Sequence, residues 1–579
     1  MGSTAAGAPP EYKPWHNLLR FRWVTQMMQR EEQVFLLLSL LIGALTGLAV
    51  VAFILVTERL GMRIYPVGSA AWRRIAMPIA GSLAMGYLLY RYFPNARGSG
   101  VPQTKAALFA HNGYISLRTV LGKFFCTATT LASGIPLGRE GPSVQVGAGI
   151  ASVLGRKLGL SPERVKALIP VGSAAAIAAA FNTPMAAVMF SLEEVMGDLH
   201  APVLGSVVLA SATSWAVLKM LLGNDPLFKV PQYALVSSWE YLIYPLLGVA
   251  GGFLSVAFTQ LLLRMRKYFL KLPTKTRWWH PVVGGVLVGL MGWFVPQALG
   301  VGYSYVGDAL NGNMALKLML ILIVVKLFGV TVSYATGNAG GIFGPALFLG
   351  AMLGGAIGTV AHHFLPAYTA APGAYALVGM GALFAGIVRA PMTSVLMIFE
   401  MTRDYSAILP LMIANMMSLF IASRFQKEPV YEALADQDGI HLPGPAERGD
   451  PTQRTVQNVM LRSPQILQAQ STAIEALEQM KTSQHNAWPV ADQAFFVGLV
   501  SRESLEQALA EGNAQTSLTH LVNSLGVPHF HTDQPLHLAL ERMTKSNLEV
   551  APVVHRADMH KLEGIVTRKD VLDAYGIRC

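Results

Sequence analysis

Long apolar runs separated by short polar turns set the plan of the first three-quarters of this chain. Val34 to Thr57 is an unbroken stretch of 24 residues without a charge, enough for a helix that crosses a bilayer. Comparable runs lie near 75–92, 202–222, 240–263, 281–298, 315–335, 345–365 and 407–423. The pattern predicts an α-helical polytopic membrane protein over 33–425. Other apolar pieces in that region are too short to span and are cut by Gly and Pro, at 98–102, 134–142, 182–184, 340–345 and 389–391. Broken helices at membrane depth are tolerated only where protein or a wet cavity surrounds them. They also point to a transport site near the midplane. Residues 1–32 read as a polar tail with Pro9, Pro10 and Pro14 and a short amphipathic helix near 16–30. Residues 426–455 are polar, contain Pro and Gly, and read as a linker.

The pattern repeats itself. Gly138, Gly141, Pro142 and Gly147 align with Gly341, Gly344, Pro345 and Gly350 at a constant offset of 203. TPMAAVMFSLEE (183–194) aligns with APMTSVLMIFEM (390–401) at an offset of 207, matching Pro184 to Pro391 and Glu193 to Glu400. Two related halves, about 33–225 and 238–425, with inverted topology around a pseudo-twofold axis follow from this. The repeat separates scaffold from chemistry. Glu193 and Glu400 exist in both halves and read as structural, whereas Glu140 faces Phe343 and Glu194 faces Met401. A second repeat fills 456–579: ALEQM (476–480) matches ALERM (539–543), and GLVSRES (498–504) matches GIVTRKD (564–570). Each unit reads helix, strand, strand, helix, which predicts a soluble α+β module of two tandem units.

Composition agrees with a membrane protein: 53% of the 579 residues are hydrophobic and only 13% charged. The first apolar run is too long, and too far from the start, for a cleaved signal peptide. The net charge of +11 fits loops facing anionic lipid better than nucleic acid, and no nucleic-acid partner is expected. Arg264, Arg266, Lys267, Lys271, Lys275 and Arg277 form the clearest basic cluster and are placed on the cytoplasmic side with the N-terminal tail. Arg59, Arg63, Arg73 and Arg74 after the first span weaken that assignment. Cys126 and Cys579 give neither a disulfide framework nor metal-ligand spacing.

The chemistry centres on Gly138-Arg139-Glu140-Gly141-Pro142, a charged pentapeptide between apolar segments. Pro142 suits the first position of a new helix, whose unpaired N–H groups and dipole favour an anion. Glu140 is an anion at that position, and an ionisable side chain at membrane depth is a functional hypothesis by default. The alternative is an extramembrane turn with a solvated Arg–Glu pair.

The motifs resemble those of the CLC family of chloride channels and chloride/proton exchangers. GSGVP (98–102) is similar to its GSGIP, GREGP (138–142) is identical to its motif, GGIFGP (340–345) is similar to GGIFAP, and Pro429-Val430-Tyr431 is similar to its Pro-Leu-Tyr segment. The C-terminal repeat resembles a pair of CBS units. The resemblance implies a CLC fold with CBS domains beneath it, in a homodimer with one pathway per subunit. It also implies an integral membrane location, the bacterial inner (plasma) membrane, with the N-terminus and the CBS domains cytoplasmic.

Carried over by position, Ser99 and Tyr431 are the hydroxyls that donate to a central chloride, each a donor without a charge. Backbone N–H groups around Gly141, Ile342 and Phe343 complete the cradle. The alternatives are a turn hydroxyl for Ser99 and an interfacial aromatic for Tyr431. Glu140 matches the gating glutamate, which competes with chloride for one site and leaves it when protonated. Glu194 matches the inner glutamate that passes protons, a position commonly apolar in passive channels. Lys123 matches a lysine buried near the pore, or pairs with Glu193 or Glu400; with Arg139 it makes the interior hospitable to anions. Gln103-Thr104-Lys105 departs from the family where an acid often follows the proline, so no salt bridge of that acid is carried over. Thr567-Arg568-Lys569-Asp570 fits a segment by which relatives hold a nucleotide ribose, with Thr567 and Asp570 as candidate contacts for an adenine nucleotide. Its counterpart Ser501-Arg502-Glu503-Ser504 lacks the Asp, and a purely structural CBS module is the alternative.

The expected function is transmembrane chloride/proton exchange with no required cofactor. The alternatives are a gated chloride channel of the same fold, in which Glu194 is incidental, and an intramembrane enzyme. The last is disfavoured because no HExxH, Gly-rich phosphate loop or nucleophile–base spacing is found.

Overall fold

Helices carry the membrane region of this computed structural model. It describes residues 31–440, 442 and 455–574 apart from 67–69, 200–201, 224, 232, 234, 463, 481–485, 493–494, 523–528, 547 and 557. The tail helix expected near 16–30, most of the linker after 440, and Cys579 lie outside the described residues. The chain divides into two compact units, Met1–Pro443 and Gly444–Cys579.

The first unit runs α1 (Glu31–Ile64), α2 (Arg73–Arg91), α3 (Val101–Phe109), α4 (Leu117–Ala132), α5 (Glu140–Lys157), α6 (Pro162–Phe181), α7 (Pro184–Phe190), a π-helical turn (Ser191–Met196) and α8 (Leu204–Leu222). The second half follows with α9 (Glu240–Lys271), α10 (His280–Phe294), α11 (Tyr303–Leu310), α12 (Leu316–Ala335), α13 (Phe343–Phe364), α14 (Pro372–Val388), α15 (Pro391–Thr402), α16 (Ile408–Phe425) and α17 (Val430–Gln437). Among the described residues seven helices are long and apolar enough to cross a membrane.

The two halves run through the same order of helices, α1 to α8 and α9 to α16, and they share their packing devices. A side-chain carbon on Gly147 would lie 2.3 Å from the carbonyl oxygen of Gly172, and one on Gly350 would lie 2.4 Å from that of Gly379. Only glycine lets α5 approach α6, and α13 approach α14, this closely, which is how helices pack without a hydrophobic drive between them. The sequence pattern missed α4, α6 and α14. Pro170 breaks the apolar run of α6, and α4 and α14, at 16 and 17 residues, fall short of a span. Pro142 is not the first residue of its helix: α5 opens at Glu140, and Pro142 sits in the first turn, where a missing N–H costs nothing. The segment read as a linker from 426 contains α17, whose Val430, Tyr431 and Leu434 are buried. The compact unit therefore extends past 425, because an apolar face within a polar stretch is enough to dock a short helix.

The second unit contains β1 (Leu467–Gln468), α18 (Ala473–Met480), β2 (Ala487–Asp492), β3 (Phe495–Ser501), α19 (Arg502–Ala510), α20 (Leu518–Leu521), α21 (Leu536–Lys545), β4 (Val550–His555), β5 (Asp558–Thr567) and α22 (Arg568–Ala574). β1 pairs with β2 in parallel, and β2–β3 and β4–β5 are antiparallel. The two cores use equivalent positions, Ala476 and Ala539, Met480 and Met543, Val490 and Val553, Val500 and Val566, Leu505 and Val571, all buried. The helix–strand–strand–helix order expected of each unit is present.

Candidate functional site

The interrupted segments of the two halves meet at their glycines. The N–H of Gly138 donates to the carbonyl of Gly341 at 2.7 Å, and the N–H of Gly341 donates back to Gly138 at 2.7 Å. This reciprocal pair sets the N-termini of α5 and α13 side by side inside the protein. The first N–H groups of each helix lack intrahelical partners, so their positive ends converge on one small volume.

Glu140, the first residue of α5, is fully buried in that volume. Its Oε2 accepts from the Gly344 N–H of α13 at 3.2 Å. Its Oε1 accepts a hydrogen bond from the Tyr303 hydroxyl, at the start of α11. The Arg139 guanidinium lies 5.6 Å from the Tyr303 ring centroid and 3.3 Å from Glu58, at the end of α1. Ile342 precedes α13, and the Phe343 ring is enclosed by Phe181, Phe190 and Phe384. The arrangement holds an anion by backbone N–H and hydroxyl donors within an apolar wall.

Ser99 and Tyr431 are fully buried, yet neither hydroxyl has a hydrogen-bond partner among the described residues. Each is a donor without a charge, of the kind an anion can use. A side-chain carbon on Gly141 would lie 3.1 Å from Ser99 Oγ, so that hydroxyl rests against the first turn of α5. The Ser99 N–H donates to the Tyr334 hydroxyl at 3.3 Å. Ser99, Gly141, Glu140 and the opening of α13 are thus brought together.

Lys123 pairs with neither Glu193 nor Glu400. Its ammonium is fully buried and donates to the carbonyls of Ala96 and Gly98 at 2.9 and 2.7 Å. The repeat explains this: Lys326 is buried in the same way against Ala298 and Gly300 at 3.2 and 2.6 Å. Each lysine satisfies the turn ahead of a short helix, α3 or α11. Glu193 and Glu400 are likewise reciprocal. Glu193 accepts from the N–H of Met392 and of Thr393 at 3.3 and 2.8 Å, and Glu400 from those of Met185 and Ala186 at 3.0 and 2.7 Å. Each carboxylate therefore caps the N-terminus of its counterpart's helix, which is the shared structural role expected of them.

Glu194, one residue further along the π-helical turn, does something else. Lys105 of α3, fully buried, places its Nζ 2.6 Å from Glu194 Oε1 and 2.5 Å from Glu432 Oε1 of α17. Gln103 accepts from the Gly100 N–H at 2.8 Å and caps α3, so the departure from the family pattern has two structural uses.

Sequence reading missed Tyr303, Tyr334, Lys105 and Glu432. Tyr303 carried a signal: Gly98, Gly100 and Val101 match Gly300, Gly302 and Tyr303 at an offset of 202. Lys105 and Glu432 had none, because their pairing joins segments 327 residues apart. In the second unit Thr567 and Asp570 close on each other. The Thr567 hydroxyl donates to Asp570 Oδ2 at 2.6 Å and accepts from the Asp570 N–H at 3.0 Å. Ser501 accepts from the Ser504 N–H at 3.2 Å in the other repeat, so the cap is common to both and only the carboxylate is not.

A family model described as voltage gated chloride channel matches residues 81–423, and the CBS domain model matches 456–511 and 522–577. An H(+)/Cl(-) exchange transporter from Vibrio cholerae serotype O1 (strain M66-2) is 32% identical over 427 residues, 71% of this chain and 91% of that relative. Two solved structures share the fold. One is a slow cyanobacterial Cl-/H+ antiporter (TM-score 0.64, 24% identity, 70% of this chain and 97% of that one). The other is a eukaryotic CLC transporter (TM-score 0.61, 20% identity, 93% and 97%).

Proposed function

Because the chain belongs to the voltage gated chloride channel family, we propose that it exchanges chloride for protons across a membrane, as its Vibrio cholerae relative is named for doing. The observation that carries this reading is the seat of Glu140. Its carboxylate takes the Gly344 N–H at the mouth of α13, beside the unpaired Ser99 hydroxyl. A chloride ion needs the same donors. Carboxylate and halide repel, so one site does not hold both. A proton on Glu140 removes its charge and weakens its hold, which links proton gain to anion binding. In this reading Ser99, Tyr431 and the backbone around Gly141, Ile342 and Phe343 bind chloride. Glu140 gates the site and Glu194 supplies its protons. Arg139 and the lysines shape the field.

The same reading makes the protein a transporter rather than an enzyme, a homodimer with one pathway per subunit, and a resident of the bacterial inner membrane. Its CBS units then face the cytoplasm, and Thr567 and Asp570 are the candidate contacts for an adenine nucleotide. One observation favours a second reading: Glu194 is ion-paired to Lys105, as a structural acid in a gated channel would be. Reconstitution into liposomes under a chloride gradient, with both fluxes followed, decides. Glu194→Gln abolishes proton movement and leaves chloride flux in an exchanger. A chloride-coupled proton flux that survives the substitution removes Glu194 from the mechanism. A current reversing at the chloride potential whatever the pH gradient establishes the channel.

A further inference from the structure

The pairing of Lys105 sets two acids around one cation. Both distances end on the same Nζ, at 2.6 and 2.5 Å, so Glu194 Oε1 and Glu432 Oε1 lie within about 5 Å of one another. With both acids ionised, the cluster carries one excess negative charge where little water reaches. A single proton on either acid removes it, the usual outcome when carboxylates share a site. The three side chains also form a gradient: that of Lys105 is wholly buried, that of Glu194 is 6% exposed and that of Glu432 is 16% exposed.

We propose that Glu432 is the solvent-side member of a two-carboxylate proton intake, with Lys105 as the positioning residue that presents it to Glu194. The proposal rests on the exchanger reading and extends it to a residue outside the proton path stated there. In the inward direction a hydronium ion gives its proton to a Glu432 oxygen and leaves as water. The Glu432 acid then gives that proton to a Glu194 oxygen, directly or through one water, and becomes a carboxylate again. Lys105 keeps its protons throughout and stays paired with whichever acid is ionised. The cluster is neutral before and after the transfer, so the step costs little where a net charge would cost much. Arg389, at the end of α14, donates to the carbonyls of Ala422, Gln426 and Lys427, and its charge also bears on Glu432 and Glu428; that charge is fixed and is the same before and after the proton passes from Glu432 to Glu194. Tyr431 is neutral.

The test uses the full chain in liposomes, with chloride and proton fluxes recorded together over a range of pH. Glu432→Gln is expected to keep chloride flux within about twofold and to lower proton flux by about tenfold or more. Glu432→Asp, which keeps a carboxylate near Lys105, is expected to recover most of the proton flux, and it serves alone if the Gln variant does not fold. A proton flux equal to the unmodified protein's in Glu432→Gln at every pH overturns the proposal. So does a parallel loss of both fluxes, which marks the ion pair as a clamp, or an Asp variant no better than Gln. If the unmodified protein itself moves chloride without protons, the exchanger reading fails first, and that result is distinct from a failure confined to the Glu432 variants.

Discussion

Gly138→Ala places one methyl carbon where the Glu140 carboxylate sits. A side-chain carbon built on Gly138 lies 2.3 Å from Glu140 Oε2, while its next neighbours, Gly344 N and Pro345 Cδ, are at 3.1 Å. The two farther contacts need only a few tenths of an ångström. The nearest one needs an atom to leave, and that atom is the end of a flexible side chain. Gly138 has no positive φ, so the alanine brings no backbone strain. The displaced carboxylate gives up the Gly344 N–H and loosens its bond from Tyr303. One charge-assisted hydrogen bond is worth about 1.5–3 kcal/mol. The arm's occupancy of the site therefore falls by roughly ten- to a hundredfold.

An arm that leaves without a proton admits chloride without one. Gly138→Ala is thus expected to raise chloride flux and to lower the number of protons moved per chloride. Liposomes loaded with chloride, a chloride electrode and a pH electrode in one vessel measure both. Unchanged coupling refutes the argument, because it means that the seat of Glu140 at Gly344 has no part in the cycle. A loss of both fluxes from a folded protein refutes it as well.

Tyr303→Phe removes only the hydroxyl that donates to Glu140 and keeps the ring beside Arg139. It is expected to weaken coupling in the same direction, and the same two electrodes read it. Glu400→Gln replaces a carboxylate that accepts from Met185 and Ala186. It is expected to cost about 1–3 kcal/mol of stability, seen as a lower thermal midpoint in detergent, with the proton-to-chloride ratio unchanged. Thr567→Ala removes the cap of α22, with a loss of about 1 kcal/mol confined to melting of the second unit and chloride flux as before.

Most of the frame was legible because it is written twice. The offset of 203 between Gly138 and Gly341 became a reciprocal backbone pair, and the offset of 207 between Glu193 and Glu400 became two reciprocal caps. The CBS repeat put equivalent residues in equivalent core positions. What was not legible has physical reasons. Helix α6 is buried inside the protein, so its small residues and Pro170 do not look like a lipid-facing span. Lys123 reads as a lysine buried near the pore, with Glu193 or Glu400 as alternative partners; it is buried, and its partners are two backbone carbonyls, which sequence does not mark. Glu432 sits in a stretch whose composition reads as linker, and although the Pro429-Val430-Tyr431 motif marks its neighbour, nothing local reveals that Glu432 meets Lys105.

The duplication also shows where the chemistry had to be written once. A twofold frame brings two helix mouths together, but two identical mouths would hold two identical groups. The sequence breaks that symmetry at four places, each on a paired element. Glu140 stands opposite Phe343, so one helix mouth supplies the acid and the other receives it. Val101 stands opposite Tyr303, so only the second short helix gives a hydroxyl to that acid. Ser99 stands opposite Val301, so the unpaired hydroxyl is present in the first half alone. Glu194 stands opposite Met401, on a π-helical turn whose counterpart is ordinary α-helix. An extra residue in a turn rotates the side chains beyond it, and such turns recur at functional sites. Adjacent residues on a helix do not share a face, and here Glu193 reaches its scaffold partner while Glu194 reaches Lys105. Symmetric residues hold the two mouths in register; the asymmetric ones are those to which the proposed function gives the anion and the proton.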